Sequence, residues 1–317
     1  MNSQSHRQTI HIVVGAGAVG SGVALRLAAS GHAVKVVTRS GTGPEAPGIE
    51  HVAADAADQR SLTAIADGAH AIYNCANPPY ERWAQDWPPL AAAMLGAAES
   101  SGARLVTMSN LYGAAAGSSP MRATDSLAPP SKKGAIRVQM WVDALAAHDA
   151  GRVRVTEARA SDFFGPGIGD NGHFGDRAIP KLLAGKSMSV IGRSDVTHSW
   201  SYIDDVCATL AVLGTDDRSL GRAWHVPTGP ALTAQALADA ISHAAGHGDA
   251  KVKVIPAAML KLAGIFSKPI RELPEMLYQF TAPFVIEATD TTETFGLEAT
   301  PLDQQIDATI ASYRTNG

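Results

Sequence analysis

The glycines of Gly15-Ala16-Gly17-Ala18-Val19-Gly20 follow the β-branched run Thr9 to Val14 and precede the helical composition of Val19 to Ala29, which Gly31 closes. In a strand–turn–helix context each glycine has a physical task. Gly15 permits the tight turn, Gly17 lets the backbone approach a pyrophosphate with no Cβ in the way, and Gly20 lets the helix pack close on the strand. The first helical amides, at Ala18 and Val19, then face the anion. At the end of the second apolar run the chain reads Val36-Val37-Thr38-Arg39-Ser40, with no carboxylate to accept from a ribose diol. An arginine fork at Arg39 suits a 2′-phosphate, so NADP (NADPH) is the expected dinucleotide. Asp55 and its neighbour Ala56, just past the third run, are placed to meet the adenine amino group, or Asp55 to cap a helix.

These residues need a scaffold, and the pattern of the chain predicts one. Apolar runs at Ala33 to Val37, Ile49 to Ala53, Ala69 to Cys75, Arg104 to Met108 and Val153 to Ala160 alternate with helical stretches, the longest being Trp83 to Ser101 and Lys132 to His148. That alternation predicts an α/β fold, a doubly wound parallel Rossmann sheet, since parallel crossovers return over the sheet by helices. After the glycine-rich segment Ser161 to Gly172 the rhythm changes. Helices expected at Gly175 to Leu183, Thr233 to Ala245 and Ala257 to Phe266 suggest a smaller C-terminal α/β substrate domain. The expected division is residues 1–165 for the dinucleotide, with 196–228 (Trp200 to Leu213 and Ala223 to Val226) returning to that sheet, and 166–195 plus 229–317 for the substrate.

Composition removes other classes. The chain has 317 residues, 45% hydrophobic and 18% charged, with a formal charge of −4, and it carries no basic run that would track a phosphate backbone. No nucleic-acid partner and no membrane partner are expected, an anionic bilayer surface included. Met1 to Gln8 is polar, no stretch approaches a bilayer-spanning length, and a cytoplasmic protein is expected. Cys75 and Cys207 have no CxxC partner, and the 11 histidines form no HExxH, so neither a disulfide framework, a structural zinc nor a catalytic metal is expected. Both cysteines are read as buried thiols.

In order along the chain, the glycine turn, Asp55, Asn74-Cys75-Ala76, Leu111-Tyr112-Gly113, Arg159 to Gly167 with Phe164-Gly165-Pro166-Gly167, and Tyr202-Ile203-Asp204-Asp205 resemble the extended short-chain dehydrogenase/reductase family, the NAD-dependent epimerase/dehydratase group. The resemblance covers nearly the whole chain. It implies a homodimer built through the two long helices, a cofactor edge at Cys75, Ala76 and Asn77, and capping or structural roles for Asp204 and Asp205. It also implies a Ser or Thr after strand five and a Tyr-x-x-x-Lys on the next helix. Here that helix reads Ser131-Lys132-Lys133-Gly134-Ala135-Ile136-Arg137, so Lys133 and Arg137 stand at the paired positions, and the serine is displaced to Ser109 because Met108 holds its place.

On that basis Ser109 polarises a carbonyl, Lys133 supplies the proton, and Arg137 clamps the nicotinamide ribose, with Tyr112 as the rival donor; the alternative is that Lys133 and Arg137 only bind the cofactor. A neighbouring positive charge from Arg137 and the nicotinamide is expected to lower the pKa of Lys133. A substrate pocket is expected from Asn77, Tyr80, Trp83, Phe163, Phe164, His173, Phe174, His198 and Trp200, a largely aromatic lining that suits a modest organic molecule. Nucleotide-sugar enzymes of this type use an arginine for the diphosphate, whereas the segment before Tyr202 offers His198, with Arg193 nearby. Three functions follow. The first is an NADPH-dependent oxidoreductase at the carbonyl or alcohol of a small organic or sugar-like substrate. The second is a sugar or nucleotide-sugar epimerase/dehydratase, and the third a non-catalytic NADP(H)-binding redox sensor.

Overall fold

The central strands of the sheet are rich in small or β-branched apolar residues and carry two buried faces, the pattern that forces helices onto both sides, while the edge strand Ile49–Ala53 has no buried residue. The computed structural model describes residues 9–315. The polar stretch 1–8 lies outside them. Strands β1 (Ile10–Val14), β2 (Ala33–Thr38), β3 (Ile49–Ala53), β4 (Ala69–Asn74), β5 (Arg104–Asn110) and β6 (Val155–Ala160) join Ala223–His225 in one parallel seven-stranded sheet. Its order is Ala223–His225, β6, β5, β4, β1, β2, β3. β1 pairs with β2 on one side (Val14 opposite Val37) and β4 on the other (Val14 opposite Asn74), so the order of strand addition reverses at β1 while all strands stay parallel, and a crevice opens at the C-terminal ends of β1 and β4.

Helix α1 (Ala18–Ala29) and helix Ile203–Leu213 cover one face, packing Val23, Leu27, Val206 and Leu210 on Val13, Val106 and Ala158. On the other face α2 (Gln59–Ile65), α3 (Trp83–Ser101) and α4 (Lys132–Asp149) bury Leu62, Met94, Ala97 and Trp141 against Ile12, Val14, Ile72 and Leu105. A third cluster, around Phe174, Leu182, Met188, Leu237, Ile241 and Ile310, forms the core of the C-terminal part. Among the described residues no helix is long and apolar enough to cross a membrane.

Differences from expectation have local causes. The helix expected from Gly175 is confined to Ile179–Leu183: Pro180 stands in its first turn, and Gly175 is pressed against the Gly169 carbonyl, where a Cβ would come within 1.9 Å. Helix Ala257–Ala263 stops at Gly264. The loop after β6 contains a strand, β7 (Asp162–Phe164), which pairs in parallel with Trp200–Tyr202. Trp200 to Tyr202 therefore does not return to the main sheet, whereas Ala223–His225 pairs with β6. Cys207 is buried and Cys75 only half-buried; burial raises both thiols, Cys207 to about 12.

At the opposite end from the crevice, His11 is fully buried, with Thr9 Oγ1 2.8 Å from its Nε2, the Tyr73 hydroxyl 3.2 Å from its Nδ1, and the rings of His32 and His70 at 4.7 and 5.4 Å. Burial, reinforced by His32, His70 and Arg104, pushes the His11 pKa down to about 3; burial also takes His225 to about 4. Both bases titrate lower when folded, so the unfolded chain binds protons that the native state refuses. Their contribution is complete above about pH 6.5 and is lost as pH falls toward 4 and 3. Thermal unfolding is expected to be flat above pH 7 and to lose roughly 1 kcal/mol per unit of pH per site between pH 6 and 4, with a shallower fall in His11→Asn. A flat profile down to pH 4 would contradict this.

Candidate active site

The glycine turn has the geometry its residues require. Gly15 adopts φ +99°, and a Cβ there would come 2.8 Å from the Cys75 carbonyl oxygen; at Gly20 a Cβ would meet the Gly15 carbonyl at 2.0 Å. A Cβ on Gly17 would meet nothing within 4 Å. Gly17 starts α1 with no side chain capping the first amides, so Ala18 and Val19 present an uncapped helix start to the open crevice. These features fit a dinucleotide, with the pyrophosphate on the α1 N-terminus. Gly22 was not anticipated: its missing Cβ lets α1 close on Cys207, whose sulfur would be 2.4 Å away. Arg39 is exposed just beyond β2, Asp55 is exposed, Ala56 is buried, and Asn77 is exposed beside the half-buried Cys75 and Ala76. Asp55 takes the Ala57 amide at 3.0 Å in a turn; the cap of α2 is Asp58.

Beyond the turn, aromatic rings and cations interleave. Trp83, at the start of α3, stacks on Tyr112 (6.0 Å, 29°) and meets Tyr80 edge-on at 5.0 Å; its indole N–H donates to the Pro78 carbonyl at 3.1 Å. The Arg137 guanidinium lies 4.8 Å over Trp83 and 4.2 Å over Trp87 and donates to the Met108 carbonyl at 3.3 Å. Burial lowers its pKa to about 10. The Tyr80 hydroxyl donates to the Tyr112 hydroxyl at 3.1 Å. Burial, with the charge of Asp162, raises Tyr112 to about 12, so at neutral pH it is a phenol whose own proton is not consumed by Tyr80. Tyr112 is set by its backbone: a Cβ on Gly134 would come 2.2 Å from the Tyr112 carbonyl, so only glycine lets α4 start so close.

Lys133 is buried, and its ammonium bonds to Glu272 and, at 2.9 Å, to Glu275, while lying 4.7 Å over the Tyr80 ring. Glu275 also accepts the backbone amides of Lys132 and, at 3.3 Å, Lys133, at the α4 N-terminus. The nearest charges to Lys133 are thus carboxylates, and Arg137, one turn on, points to the tryptophans. This corrects the expectation of a lysine crowded by Arg137, and of Arg137 free to clamp a ribose. Ser109 is buried and lines a separate cavity of about 100 Å³ with Arg137, Glu157, Arg159 and His225.

Several expected pocket residues are walls or core instead. Phe164 and Phe174 are fully buried in the C-terminal core, and Trp200 is buried there with its indole N–H on the Leu232 carbonyl at 3.0 Å. Phe163 is half-buried against the α1-side core. His198 is buried between Phe280 and Phe284 (each 5.2 Å), with Nε2 2.8 Å from Asp162 Oδ2 and 3.2 Å from Ser161 Oγ. It is therefore an internal partner of Asp162 and unavailable to a diphosphate. Arg193 is exposed and closes its fork on Asp195 with two bonds of 2.8 Å. His173, half-buried, lies 4.3 Å from Phe280, and burial lowers its pKa. Asp162 was missed by sequence reasoning, although an acid at the C-terminal end of a parallel strand was the available signal. Burial works to raise its pKa, but the hydrogen bond and charge of His198, with the charge of His173, hold it below the usual carboxylate range. Asp204 pairs with Arg26, and Asp205 accepts the Thr300 amide at 3.0 Å and hydroxyl at 2.6 Å, structural roles for both.

A parallel sheet with its order of strand addition reversing at β1 and a glycine cradle beside the crevice defines a Rossmann-type α/β protein. The family model for the NAD dependent epimerase/dehydratase family matches residues 11–226, and the chain belongs to that family of NAD(P)-dependent enzymes. No curated protein is a significant sequence match. Solved structures with the same fold include the Bordetella bronchiseptica enzyme WbmH in complex with NAD+ (19% identity, TM-score 0.72, 98% of this chain and 100% of that one). UDP-glucose 4-epimerase from Thermotoga maritima with UDP-glucose superposes with TM-score 0.77 at 17% identity (97% and 99% covered). DesIV, a dTDP-glucose 4,6-dehydratase from Streptomyces venezuelae with NAD bound, does so with 0.76 at 20% identity (97% of each chain).

Gly17→Ala is expected to leave stability within about 0.5 kcal/mol while weakening dinucleotide binding at least tenfold by fluorescence titration. Gly20→Ala is expected to cost about 3 kcal/mol in denaturant unfolding. Equal effects at the two positions would refute the cradle. Lys133→Met is expected to loosen 272–280, read as faster amide exchange there, because two carboxylates lose their common cation.

Proposed function

We propose that the protein is an NADPH-dependent reductase acting on the carbonyl of a small organic or sugar-like substrate, with Tyr112 as the proton donor. The observation that carries this reading is the Tyr80–Tyr112 hydroxyl pair: Tyr80 donates to Tyr112, and burial keeps Tyr112 a phenol at neutral pH. A phenol that stays protonated at neutral pH has a proton to give to a developing alkoxide and is not in the form that would remove one from an alcohol. The bound dinucleotide would supply the hydride from nicotinamide C4. Gly15, Gly17, Gly20 and the amides of Ala18 and Val19 would hold its pyrophosphate, and Arg39 its 2′-phosphate. Trp83 and Gly134 fix Tyr112, and Asp162, buttressed by His198, offers a carboxylate to a substrate hydroxyl. The long helices α3 and α4, with Val142 exposed on the latter, are the surface we assign to a homodimer.

A second reading, a nucleotide-sugar epimerase or dehydratase, is favoured by the family and by the nucleotide-sugar enzymes sharing the fold. The enclosure of His198 and the closed fork of Arg193 weigh against it, since neither is free for a diphosphate.

The test is loss of nicotinamide absorbance when the protein meets NADPH and a panel of aldehydes, ketones and keto-sugars. Substrate-dependent loss is expected. Tyr112→Phe is expected to lower kcat about 10²-fold or more with NADPH Kd unchanged, and Tyr80→Phe less. Arg39→Ala is expected to weaken NADPH about tenfold relative to NADH. A cofactor retained through purification without net consumption, together with interconversion of a nucleotide sugar, would replace this reading by the second.

A further inference from the structure

Five of the seven large apolar side chains that the structure leaves exposed fall within residues 254–266: Val254 (44%), Met259 (59%), Leu262 (63%), Ile265 (69%) and Phe266 (87%). They lie in one segment, made by the strand Val252–Ile255, the helix Ala257–Ala263 and the turn leading to Lys268–Arg271. Its inner side is anchored, with Leu260 packing on Ile191 and Phe280. The outward residues are therefore not spare core. A consecutive apolar edge of this kind, ending in an almost fully exposed phenylalanine, is unfavourable in water unless something covers it.

The charges around the edge say what covers it. Residues 251–272 contain five cations, Lys251, Lys253, Lys261, Lys268 and Arg271, and one anion, Glu272, which is turned inward onto Lys133. All five cations are exposed, and among the described residues none forms an ion pair, as is true of the exposed lysines elsewhere, Lys132, Lys181 and Lys186; what sets the segment apart is their number within so short a stretch. Lys261 and Arg271 both line a groove of about 370 Å³, with Gly264, Ile265 and Pro274. The whole chain has a formal charge of −4, so this concentration of positive charge is opposite in sign to the rest of the molecule. Averaged composition hides it.

We propose that this segment docks the protein on an anionic lipid bilayer, with Leu262, Ile265 and Phe266 entering the acyl boundary and the five cations meeting the headgroups. Apolar tips ringed by unpaired lysine and arginine are what a negatively charged interface accommodates. A second copy of the chain fits worse, because a two-fold contact through this patch would set five cations against five. The same segment leads directly into Glu272 and Glu275, so the docked surface adjoins the two carboxylates that hold Lys133.

The test uses the full-length protein and vesicles of phosphatidylcholine alone or with phosphatidylglycerol, read by co-sedimentation at low and high salt. Binding to the anionic vesicles, suppressed by salt and absent on neutral vesicles, is expected. Lys261→Glu and Arg271→Glu are each expected to weaken it at least roughly fivefold, and Leu262→Ser with Phe266→Ser to abolish it. These side chains are exposed, so the variants should keep the wild-type melting temperature and NADPH binding, which separates lost docking from lost folding. No sedimentation with anionic vesicles, equal sedimentation with neutral ones, or insensitivity to both pairs of substitutions would overturn the proposal. So would a concentration-dependent dimer that dissociates in Phe266→Ser, which would assign the patch to self-association.

Discussion

A lysine ammonium taken almost entirely out of water has to be repaid on the spot, and much of the arrangement around the cleft follows from how Lys133 is repaid. Two carboxylates, Glu272 and Glu275, close on it from a segment about 140 residues further along the chain, and Glu275 also takes amides at the α4 N-terminus. The helix dipole and the lysine therefore attract the same acid. Because the pair is only partly screened by solvent, it ties 272–280 to the dinucleotide-binding half more firmly than an exposed ion pair would. From that tether Phe280 reaches the His198 ring, His198 holds Asp162, and the charge of Asp162 is felt at Tyr112.

The other close approach is at α1. Gly20 and Gly22 remove two side chains where the helix meets β1, β4 and Cys207, and the helix axis is thereby directed at the crevice. The two contacts divide the labour: one directs the α1 start at the crevice, the other ties 272–280 to the start of α4. Between them Trp83 and Trp87 take Arg137 onto their faces, so a cation that the chain pattern places toward the ribose is held by aromatic rings instead.

What could be read in advance divides along the same line. The glycine turn, the strand starts and the limits of α3 and α4 are dictated by local sterics and periodicity, and the chain adopts them to within a residue or two. Lys133 and Arg137 were correctly placed on one helix, but their surroundings were not legible, because Glu272, Glu275 and the tryptophans reach them only through the tertiary fold. His198 is the clearest case: a histidine before a Tyr-x-Asp-Asp segment reads as a substrate ligand until Asp162, 36 residues earlier, is found holding it. Gly134 carried a signal that was available but ambiguous, since a glycine in the first turn of a helix can equally be a weak propensity choice.

The last sheet strand has a bearing on how the chain is made. β2 pairs with β1 and β3, its neighbours in sequence, whereas Ala223–His225 must find β6 across more than sixty residues, and Asp205 receives its two bonds from Thr300. During synthesis the N-terminal strands can therefore assemble while the ribosome still holds the rest. The partners that complete the far edge and fasten helix Ile203–Leu213 emerge only later in the chain. Until then β6 offers an unpaired edge, and the nascent chain passes through a stage in which its cofactor cradle exists before its substrate side does.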